Sequence, residues 1–355
     1  MHKGPDASPG LFYSFAWVDK PDARMLHPSM NGNGHIAVLG AGNMGTALSW
    51  LLARNGHSVK LWDFFPQVVE EINRERSNSR YLQGIQLPQQ IQGVTAANEC
   101  VREAELIIVA MPSPFIANTL MQVLPFISAQ AAVLNVAKGL DAESQEPIHH
   151  KLGELLTGRA LAVLAGPAIA NEFARGLPTG VVVASAQLQA ALRWQAVLQS
   201  EFFRVAVTQD VAGAALGGIL KNIYAILLGY LDAVGGGGRN LEAAALNASV
   251  REMAKLALAK GAQAETVYGL AGLGDLVATG FSEDSHNRNY GRELGRGLSP
   301  AELAAKIPLA PEGARAVVAA RNWAAKAGLE VPLADSVYEI IRGKNPSLTE
   351  LLKHF

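Results

Sequence analysis

The sequence predicts an α/β protein in which a doubly wound sheet domain is followed by an all-α C-terminal domain. From residue 35 to residue 207, short β-branched apolar runs alternate with helical stretches, which is typical of a parallel sheet covered on both faces. From residue 208 these runs vanish, and Ala, Leu, Gly, Glu and Lys recur at helical spacing. We therefore predict a loose N-terminal extension over residues 1–34, a sheet domain over 35–207 and a helical domain over 208–355.

The predicted strands are apolar runs bounded by turn or polar residues. Eight are expected, at 35–40, 58–63, weakly near residue 94, 105–111, 131–137, 160–166, 180–185 and 203–207. The first two predicted helices are 43–55 and 66–77, and helices are expected between most of the later strands. In the helical domain we expect helices at 212–234, about 241–260, 311–327, 333–342 and 346–353. Residues 262–288 mix glycine-rich loop with short helical pieces.

Composition indicates a well-buried globular enzyme without a polyanionic partner. Of the 355 residues, 17% are charged and 49% are hydrophobic, whereas ordinary soluble proteins are about 25% charged. Thirty Lys and Arg residues against 31 Asp and Glu residues leave a formal net charge of −1. Because this charge creates no global positive field, we expect no binding to nucleic acid or to an anionic membrane surface.

The cysteine content indicates the cellular compartment, and the two apolar stretches raise the question of a membrane span. Cys100 stands alone and cannot close an intrachain disulfide, which favours a reducing compartment and hence the cytoplasm. Two apolar stretches, 106–137 and 211–234, have the length of membrane spans. Prolines break the first, and charged residues that are costly in lipid, Lys221 among them, interrupt the second. We expect both to lie in the protein core, with no membrane span.

A glycine-rich turn follows the first predicted strand and opens the first predicted helix, and in this context a G-x-G-x-x-G pattern predicts a dinucleotide site. Gly40 allows the tight turn, Gly42 lets the backbone approach a pyrophosphate, and Gly45 lets the helix pack on the strand. The second strand ends in Asp63, whose carboxylate can accept hydrogen bonds from the adenosine ribose. No Arg follows it closely, so the sequence predicts a Rossmann-like domain that binds NAD rather than NADP.

Two lysines stand in unusual sequence surroundings. Lys138 comes just after a buried strand, at the carboxyl edge of the sheet where ligands bind in open α/β folds. Lys221 interrupts an otherwise apolar helix, and burial of an ammonium group lowers its pKa toward the range useful for proton transfer. The alternative for Lys221 is a side chain that snorkels from a helix end to water, which the long apolar helix disfavours.

At these residues the sequence resembles the NAD(P)-dependent glycerol-3-phosphate dehydrogenases, over roughly residues 35 to 345. The resemblance rests on the segments 40–45, 61–62, 138–140, 166–172, 177–179, 216–222, 269–276 and 312–313. It implies an enzyme that interconverts sn-glycerol 3-phosphate and dihydroxyacetone phosphate by hydride transfer with NAD. The expected partners are a phosphorylated triose and a second copy of the chain in a homodimer.

The resemblance also implies a set of site residues. Lys221 would be the general acid/base, Lys138 would polarise or anchor the substrate, and Asp275 would complete the catalytic group. The implied substrate-binding residues are Asn222, Thr279, Ser285, His286 and Asn287. The implied cofactor-binding residues are Gly40, Gly42, Asn43, Met44, Gly45, Asp63, Phe64, Pro112, Lys138, Gly166, Ala170 and Glu312. No metal is expected, and His149 with its neighbour His150 is interpreted as a solvated surface pair.

The chain departs from the family pattern in its substrate half. The family's Ser-Arg-Asn triplet stands here as Ser285-His286-Asn287, and a histidine is shorter than an arginine and only partly charged at neutral pH. Arg239 and Arg288 are candidates to supply the missing cation. Two alternatives to the main hypothesis follow. One is the same hydride chemistry on a related ketone or hydroxyacid, and the other is a non-catalytic NAD-binding sensor.

Overall fold

A computed structural model describes residues 34–236, 238–307 and 310–355. The predicted N-terminal extension over 1–34 therefore lies, except for Gly34, outside the described residues. Within the described ranges the chain forms one eight-stranded sheet with flanking helices, followed by a helical region. The predicted fold class is confirmed.

The sheet is built from eight short strands whose apolar residues are almost all buried. They are β1 (Ile36–Leu39), β2 (Val59–Trp62), β3 (Ile91–Val94), β4 (Leu106–Val109), β5 (Ala132–Asn135), β6 (Ala160–Ala165), β7 (Thr179–Ala184) and β8 (Phe203–Thr208). Their order is β3-β2-β1-β4-β5-β6-β7-β8. Strands β1 and β4 are central neighbours, and the order reverses between them, which is the switch point where open α/β sheets bind ligands.

One part of the sheet differs from the predicted parallel arrangement. Strands β1 to β6 are mutually parallel, but β7 pairs with β6 in antiparallel orientation, with Val163 opposite Ala184. Strand β8 is parallel to β7. An antiparallel neighbour can be reached without a crossover over the sheet, and the β6–β7 connection contains only the four-residue helix Ala170–Phe173. Alternating apolar runs cannot reveal this reversal because both orientations bury the same residues.

Helices cover both faces of the sheet, so side chains of alternate strand residues enter two separate cores. Along β1, Ile36 and Val38 pack on one face, while Ala37 and Leu39 pack on the other. The helices of this region are α1 (Asn43–Arg54), α2 (Pro66–Glu75), α3 (Ala97–Val101), α4 (Ser113–Val123), α5 (Ile148–Leu155), α6 (Ala170–Phe173) and α7 (Leu188–Leu198).

The helical region is organised around α8 (Val211–Val234), which begins three residues after β8 ends. Asp210 caps this helix by accepting a hydrogen bond from the Gly213 N–H at 2.8 Å. By length and apolarity α8 qualifies as a membrane-spanning helix, but 89% of its apolar window is buried inside the fold. Its burial agrees with the expectation that 211–234 is a core helix.

The remaining helices pack around α8 and include two that the sequence analysis did not predict. They are α9 (Arg239–Ala259), α10 (Ala264–Tyr268), α11 (Asp275–Phe281), α12 (His286–Gly295), α13 (Pro300–Lys306), α14 (Glu312–Ala327), α15 (Pro332–Ile341) and α16 (Leu348–Leu352). The unpredicted helices are α12 and α13. Helix α12 is polar, yet it packs directly on α8, because Gly229 brings the two backbones so close that a Cβ there would lie 1.9 Å from the Arg288 carbonyl oxygen.

An ion pair links the sheet region to the helical region on the side of Lys138. Glu146, which follows the Lys138 loop, accepts a hydrogen bond from Lys260 Nζ at 2.7 Å. The same ammonium lies 4.6 Å from the ring centroid of Trp323. Both contacts hold α9 and α14 against the loop that follows β5.

Candidate active site

The glycine turn after β1 has the geometry that its sequence predicts. Gly40 has φ +108°, a left-handed conformation that favours glycine, and a Cβ at Gly45 would lie 1.9 Å from the Gly40 carbonyl oxygen. A Cβ at Gly42, in contrast, would meet no heavy atom of the described chain within 4 Å. The first two glycines therefore have different roles: Gly40 adopts the left-handed conformation that the turn requires, and Gly42 leaves space in front of the turn unfilled.

That open space lies at the N-terminus of α1, where a pyrophosphate would fit. Gly42 is the N-cap residue and has no side chain to bond the first N–H groups of the helix, which also lack acceptors within the helix. These donors belong to the first turn, which includes Asn43 and Met44, and the helix dipole adds a positive potential there. The residues present thus suit a dinucleotide phosphate group.

Both carboxylate oxygens of Asp63 form hydrogen bonds within the protein, which the sequence did not predict. One carboxylate oxygen accepts a hydrogen bond from the Ala41 N–H at 2.9 Å, and the other accepts one from the Phe65 N–H at 3.0 Å. Only 8% of the residue is exposed. Asp63 therefore fixes the end of β2 against the glycine turn, and its contact with the adenosine ribose stays a prediction.

The sequence analysis missed a second residue that fixes the same turn. The Asn78 amide nitrogen donates hydrogen bonds to the Ala41 carbonyl oxygen and to the Thr46 hydroxyl, both at 2.9 Å. Asn78 is completely buried. It comes from the loop between α2 and β3, and no spacing rule connects that loop to the glycine motif.

The other predicted cofactor residues lie at the same edge of the sheet. Pro112 precedes α4 after β4, and Gly166, with φ +103°, follows β6. Ala170 opens α6 and is buried, while Phe64 follows β2 and is 77% exposed. Their contacts with a nucleotide remain predictions.

Two lysines and one aspartate form a buried cluster where the two regions of the chain meet. Lys138 Nζ lies 2.5 Å from Asp275 Oδ2, and Lys221 Nζ lies 3.1 Å from Asp275 Oδ1. Lys221 also donates a hydrogen bond to the Thr279 hydroxyl, and Lys138 donates one to the Gly166 carbonyl oxygen at 3.2 Å. One carboxylate thus holds two ammonium groups, one on the sheet region and one on α8.

Burial controls the protonation of this cluster. Burial of Lys221, opposed by the charge of Asp275 and reinforced by the charge of Lys138, lowers its pKa from 10.5 to about 8. For Asp275, burial alone would raise the pKa, but attraction by Lys138 and Lys221 outweighs it and brings the pKa below its usual value. The cluster therefore contains one permanent anion and an ammonium group that can release its proton near neutral pH.

An amide network connects this cluster to α14. Asn222 donates to Glu312 Oε2 at 3.3 Å, and its own side-chain oxygen accepts from Asn287 at 3.0 Å. Asn287 in turn accepts from the Gly313 N–H at 2.9 Å. Burial raises the pKa of Glu312, although the nearby charges of Lys221 and Lys138 oppose that rise. The predicted residues Asn222, Asn287 and Glu312 therefore hold one another in fixed orientations.

The residues of the altered triplet, Ser285-His286-Asn287, lie at the start of α12. Ser285 caps this helix through a hydrogen bond from the Arg288 N–H at 3.2 Å, and the exposed His286 is the first helical residue. The suggestion that Arg288 replaces the family's arginine is not supported. Its guanidinium is buried in ion pairs with Asp232 at 2.9 Å and Glu283 at 2.6 Å.

Arg239, the other candidate cation, pairs with Glu242 at 2.7 Å and has a side chain that is 86% exposed. A cation in this position is screened by water and is available at the surface. Within the altered triplet, Ser285 and Asn287 are buried, and only His286 is exposed to solvent at the start of α12.

A cavity of about 290 Å³ opens beside the cluster. Its lining includes Ser113, Lys138, Gly139, Asp141, Glu312 and Arg315. Gly139 is required by close packing here, because a Cβ would lie 2.3 Å from the Ser113 hydroxyl oxygen. The cavity thus lies between the first turn of α4 and the N-terminus of α14, next to the partly buried Lys138.

The interpretation of the histidine pair needs a correction. The two rings are 4.3 Å apart, but His149 is largely enclosed rather than solvated, and its Nδ1 is buried without a hydrogen-bond partner among the described residues. Burial, with a smaller contribution from His150, lowers the pKa of His149 to about 4. His149 is therefore a neutral residue that packs on the sheet region.

Comparison with known protein families accounts for both regions of the chain. The model of the NAD-dependent glycerol-3-phosphate dehydrogenase N-terminus matches residues 35–191, and that of the C-terminus of the same enzymes matches residues 210–351. The chain belongs to this dehydrogenase family. The resemblance inferred from its motifs is thereby confirmed.

Relatives of known name agree with this assignment. A glycerol-3-phosphate dehydrogenase (NAD(P)+) from Chlorobium luteolum is 39% identical over 318 residues, which are 88% of this chain and 94% of the relative. The enzyme of the same name from Chlorobium limicola is 37% identical over 310 residues, which are 86% of this chain and 93% of the relative.

Solved structures show the same fold. The crystal structure of glycerol-3-phosphate dehydrogenase from Coxiella burnetii is 33% identical, has a TM-score of 0.83, and matches over 90% of this chain and 97% of that one. A D-mandelate dehydrogenase solved with NADH shares the fold more distantly, at 16% identity and a TM-score of 0.55. Family and fold therefore agree across both regions.

Proposed function

We propose that this dehydrogenase interconverts sn-glycerol 3-phosphate and dihydroxyacetone phosphate, with NAD(H) as hydride carrier and Lys221 as general acid/base. The observation that carries the proposal is the buried Lys138–Asp275–Lys221 cluster beside the dinucleotide cleft. Membership of the dehydrogenase family favours this reaction over the related-ketone and non-catalytic alternatives. A sensor would need the glycine turn but not the proton donor.

The cluster explains how a carbonyl oxygen would be protonated. A nicotinamide dinucleotide held by the glycine turn would supply the hydride for reduction of the carbonyl carbon. Lys221 Nζ then donates its proton to the carbonyl oxygen, and in the reverse direction the neutral amine takes the proton from the alcohol. Thr279 and Asp275 hold the ammonium in place, and Lys138 polarises the carbonyl oxygen from the sheet side.

The proposed substrate would lie between this cluster and α12. Its phosphate would approach the N-terminus of α12, where His286 is exposed and where N–H groups of the first turn attract an anion. Ser285, Asn287, Asn222 and Thr279 complete the proposed substrate contacts. Residues 35–207 and 208–355 would then act as the dinucleotide domain and the substrate domain of a cytoplasmic homodimer.

Steady-state kinetics of the purified chain test this function. NADH oxidation is followed by its absorbance with dihydroxyacetone phosphate, unphosphorylated dihydroxyacetone and a 2-keto acid as alternative substrates. We expect turnover with dihydroxyacetone phosphate and at least about 100-fold lower kcat/KM without the phosphate, because a phosphate contributes several charge-assisted hydrogen bonds. Faster turnover of another ketone would instead support the related-ketone alternative, and no turnover of any would support the sensor.

A further inference from the structure

A second cavity, of about 300 Å³, opens at the C-terminal end of α14, between this helix, α9 and the loop that follows Lys138. Its walls combine apolar side chains with two ammonium groups and one carboxylate. They include Glu146, Leu256, Lys260, Trp323, Lys326 and Leu329. None of these residues belongs to the proposed substrate or nucleotide contacts. The proposed reaction therefore assigns no ligand to this second cavity.

The charges at the second cavity favour an anionic ligand. Glu146 is paired with Lys260, whose Nζ lies 3.0 Å and 2.7 Å from the two carboxylate oxygens. Lys326 lies in the last turn of α14 and is exposed, and no ion pair to it occurs in the part of the chain that the structure describes. The three charged side chains thus leave one positive charge without a counterion. An anion in the cavity would compensate this charge.

The other walls favour a ligand that also has an apolar body. The Trp323 indole forms one of them, and the Lys260 ammonium lies 4.6 Å from the centroid of its ring. Leu256 and Leu329 add aliphatic surface. A ring or short alkyl chain against these walls would remove apolar surface from water. The second cavity therefore suits a small amphipathic anion better than an inorganic ion.

The loop that follows Lys138 connects the second cavity to the cavity beside Lys138. Asp141 of this loop lines the cavity beside Lys138, whereas Glu146 lines the second cavity. The two ends of the loop are held together, because the Asp141 N–H donates to the Glu146 carbonyl oxygen at 2.9 Å. The Ile148 N–H also donates to the Gly139 carbonyl oxygen at 3.1 Å. A displacement of Glu146 would therefore also move the backbone next to Lys138.

Helix α14 joins the same two cavities. Its first residue, Glu312, lines the cavity beside Lys138, and its last turns line the second cavity. Lys260 contacts both shared elements, the loop through Glu146 and the helix through Trp323. A ligand anion at Lys260 would therefore compete with Glu146 for the ammonium group that fixes the loop.

We propose that the second cavity is an effector site for a small organic anion with an apolar body. The anionic group pairs with Lys326 and Lys260, and the apolar body lies against Trp323. By weakening the ion pair between Glu146 and Lys260, the ligand releases the loop that follows Lys138 and lowers turnover. The inference goes beyond the proposed function and rests on it only for the assay of turnover.

Three matched ligands test the site by titration calorimetry on the full chain. Benzoate carries both the charge and a ring, acetate carries only the charge, and benzyl alcohol carries only the ring. We expect benzoate to bind at least about 10-fold more tightly than either, because the cavity offers both a counterion and apolar walls. Lys326→Gln should weaken benzoate about 5-fold or more, since a charge-assisted contact is lost, and should change benzyl alcohol less than about 2-fold.

Lys255→Gln is the matched control. Lys255 is also an exposed lysine and lies on α9, the helix that Lys260 follows, but it is not part of the cavity lining. Its loss should change none of the three Kd values. In the absence of benzoate, both Lys255→Gln and Lys326→Gln should keep the wild-type kcat, because neither side chain contacts the loop that follows Lys138.

Turnover of NADH with dihydroxyacetone phosphate measures the effect on the reaction. Saturating benzoate should lower the wild-type kcat about 5-fold, and Lys326→Gln should require about 5-fold more benzoate for the same effect. Glu146→Gln breaks the ion pair with Lys260 without any ligand. Its kcat should therefore be low from the start, and benzoate should change it less than about 2-fold.

Three results would overturn the proposal. One is a wild type that binds benzoate no more tightly than acetate or benzyl alcohol. The second is a Lys326→Gln variant that binds benzoate as the wild type does, which would place the anion elsewhere. The third is a wild type whose kcat is unchanged when benzoate is bound. Failure of the proposed function would look different, because dihydroxyacetone phosphate would not be reduced while the three Kd values kept the expected order.

Discussion

The charge of Asp275 should set the pH at which the enzyme loses its general acid. In Asp275→Asn the carboxylate 3.1 Å from Lys221 Nζ becomes neutral, while the ammonium group of Lys138 remains. A unit charge pair at about 4 Å is worth roughly 4 kcal/mol at an effective dielectric constant near 20, and about 1.36 kcal/mol corresponds to one pKa unit. Because the amide still accepts a hydrogen bond, we expect the pKa of Lys221 to fall by about 2 units from about 8.

The assay is kcat/KM for reduction of dihydroxyacetone phosphate as a function of pH. In the proposed mechanism reduction requires protonated Lys221, so the rate should fall as pH rises through its pKa, and oxidation of the alcohol should show the opposite limb. The wild-type midpoint is expected near pH 8 and that of Asp275→Asn near pH 6. Lys138→Met removes the charge that lowers this pKa and should move the midpoint above 8.

The opposite signs of the two shifts make the test robust. Loss of Asp275 leaves buried ammonium groups uncompensated and should destabilise the fold by roughly 3–5 kcal/mol, so thermal unfolding and NADH affinity are measured in parallel. A midpoint that does not move in a folded Asp275→Asn variant would refute the reasoning. So would a downward shift in Lys138→Met, which remains informative even if the first variant does not fold.

Three further changes separate proton transfer, nucleotide binding and substrate binding. Lys221→Met should reduce kcat about 100- to 10,000-fold. Urea unfolding of this variant at pH 7 should show no loss of stability, because folding lowers the pKa of the Lys221 ammonium from 10.5 to about 8 and this shift destabilises the folded state by ~3 kcal/mol below pH 8. The destabilisation disappears only as pH rises from about 8 to 10.5. Normal kcat would make Lys221 a structural residue. Gly42→Ala should unfold at the wild-type temperature, since its Cβ meets no atom within 4 Å, but should weaken NADH binding at least 10-fold in fluorescence titration; unchanged affinity would contradict the pyrophosphate site. His286→Arg should lower KM for dihydroxyacetone phosphate several-fold through a second charge-assisted bond, and a raised KM would indicate a different substrate.

The sequence predicted local features better than the positions of residues relative to one another. All eight strands and the long helix with Lys221 follow from apolar periodicity, because burial dictates those patterns. The approach of Lys138 to Asp275 spans 137 residues and came only from resemblance to a family. Helix α12 was missed because its residues are mostly polar, and only Tyr290 and Leu294 contribute large apolar side chains to its buried side, which approaches α8 closely at Gly229 and Gly291.

Asp63 and Asn78 show the same limit at the nucleotide cleft. The sequence offered one carboxylate and no nearby arginine, and these two facts predicted NAD alone. In the structure the carboxylate is bonded to the backbone of the glycine turn, and the Asn78 side chain holds the same turn from the loop between α2 and β3. The glycine turn is thus supported by a contact that a distance along the chain cannot represent.

The Lys138–Asp275–Lys221 cluster also depends on how the two regions meet. Lys138 belongs to the sheet region, whereas Lys221 and Asp275 belong to the helical region, so the shared carboxylate is itself a contact between them. Withdrawal of Lys138 would remove a positive charge from the neighbourhood of Lys221 and raise its pKa, and with it the pH at which the acid form is lost. The ion pair of Glu146 with Lys260 supports the loop that follows Lys138. The pKa of Lys221 therefore depends on the contact between the sheet region and the helical region, and not on α8 alone.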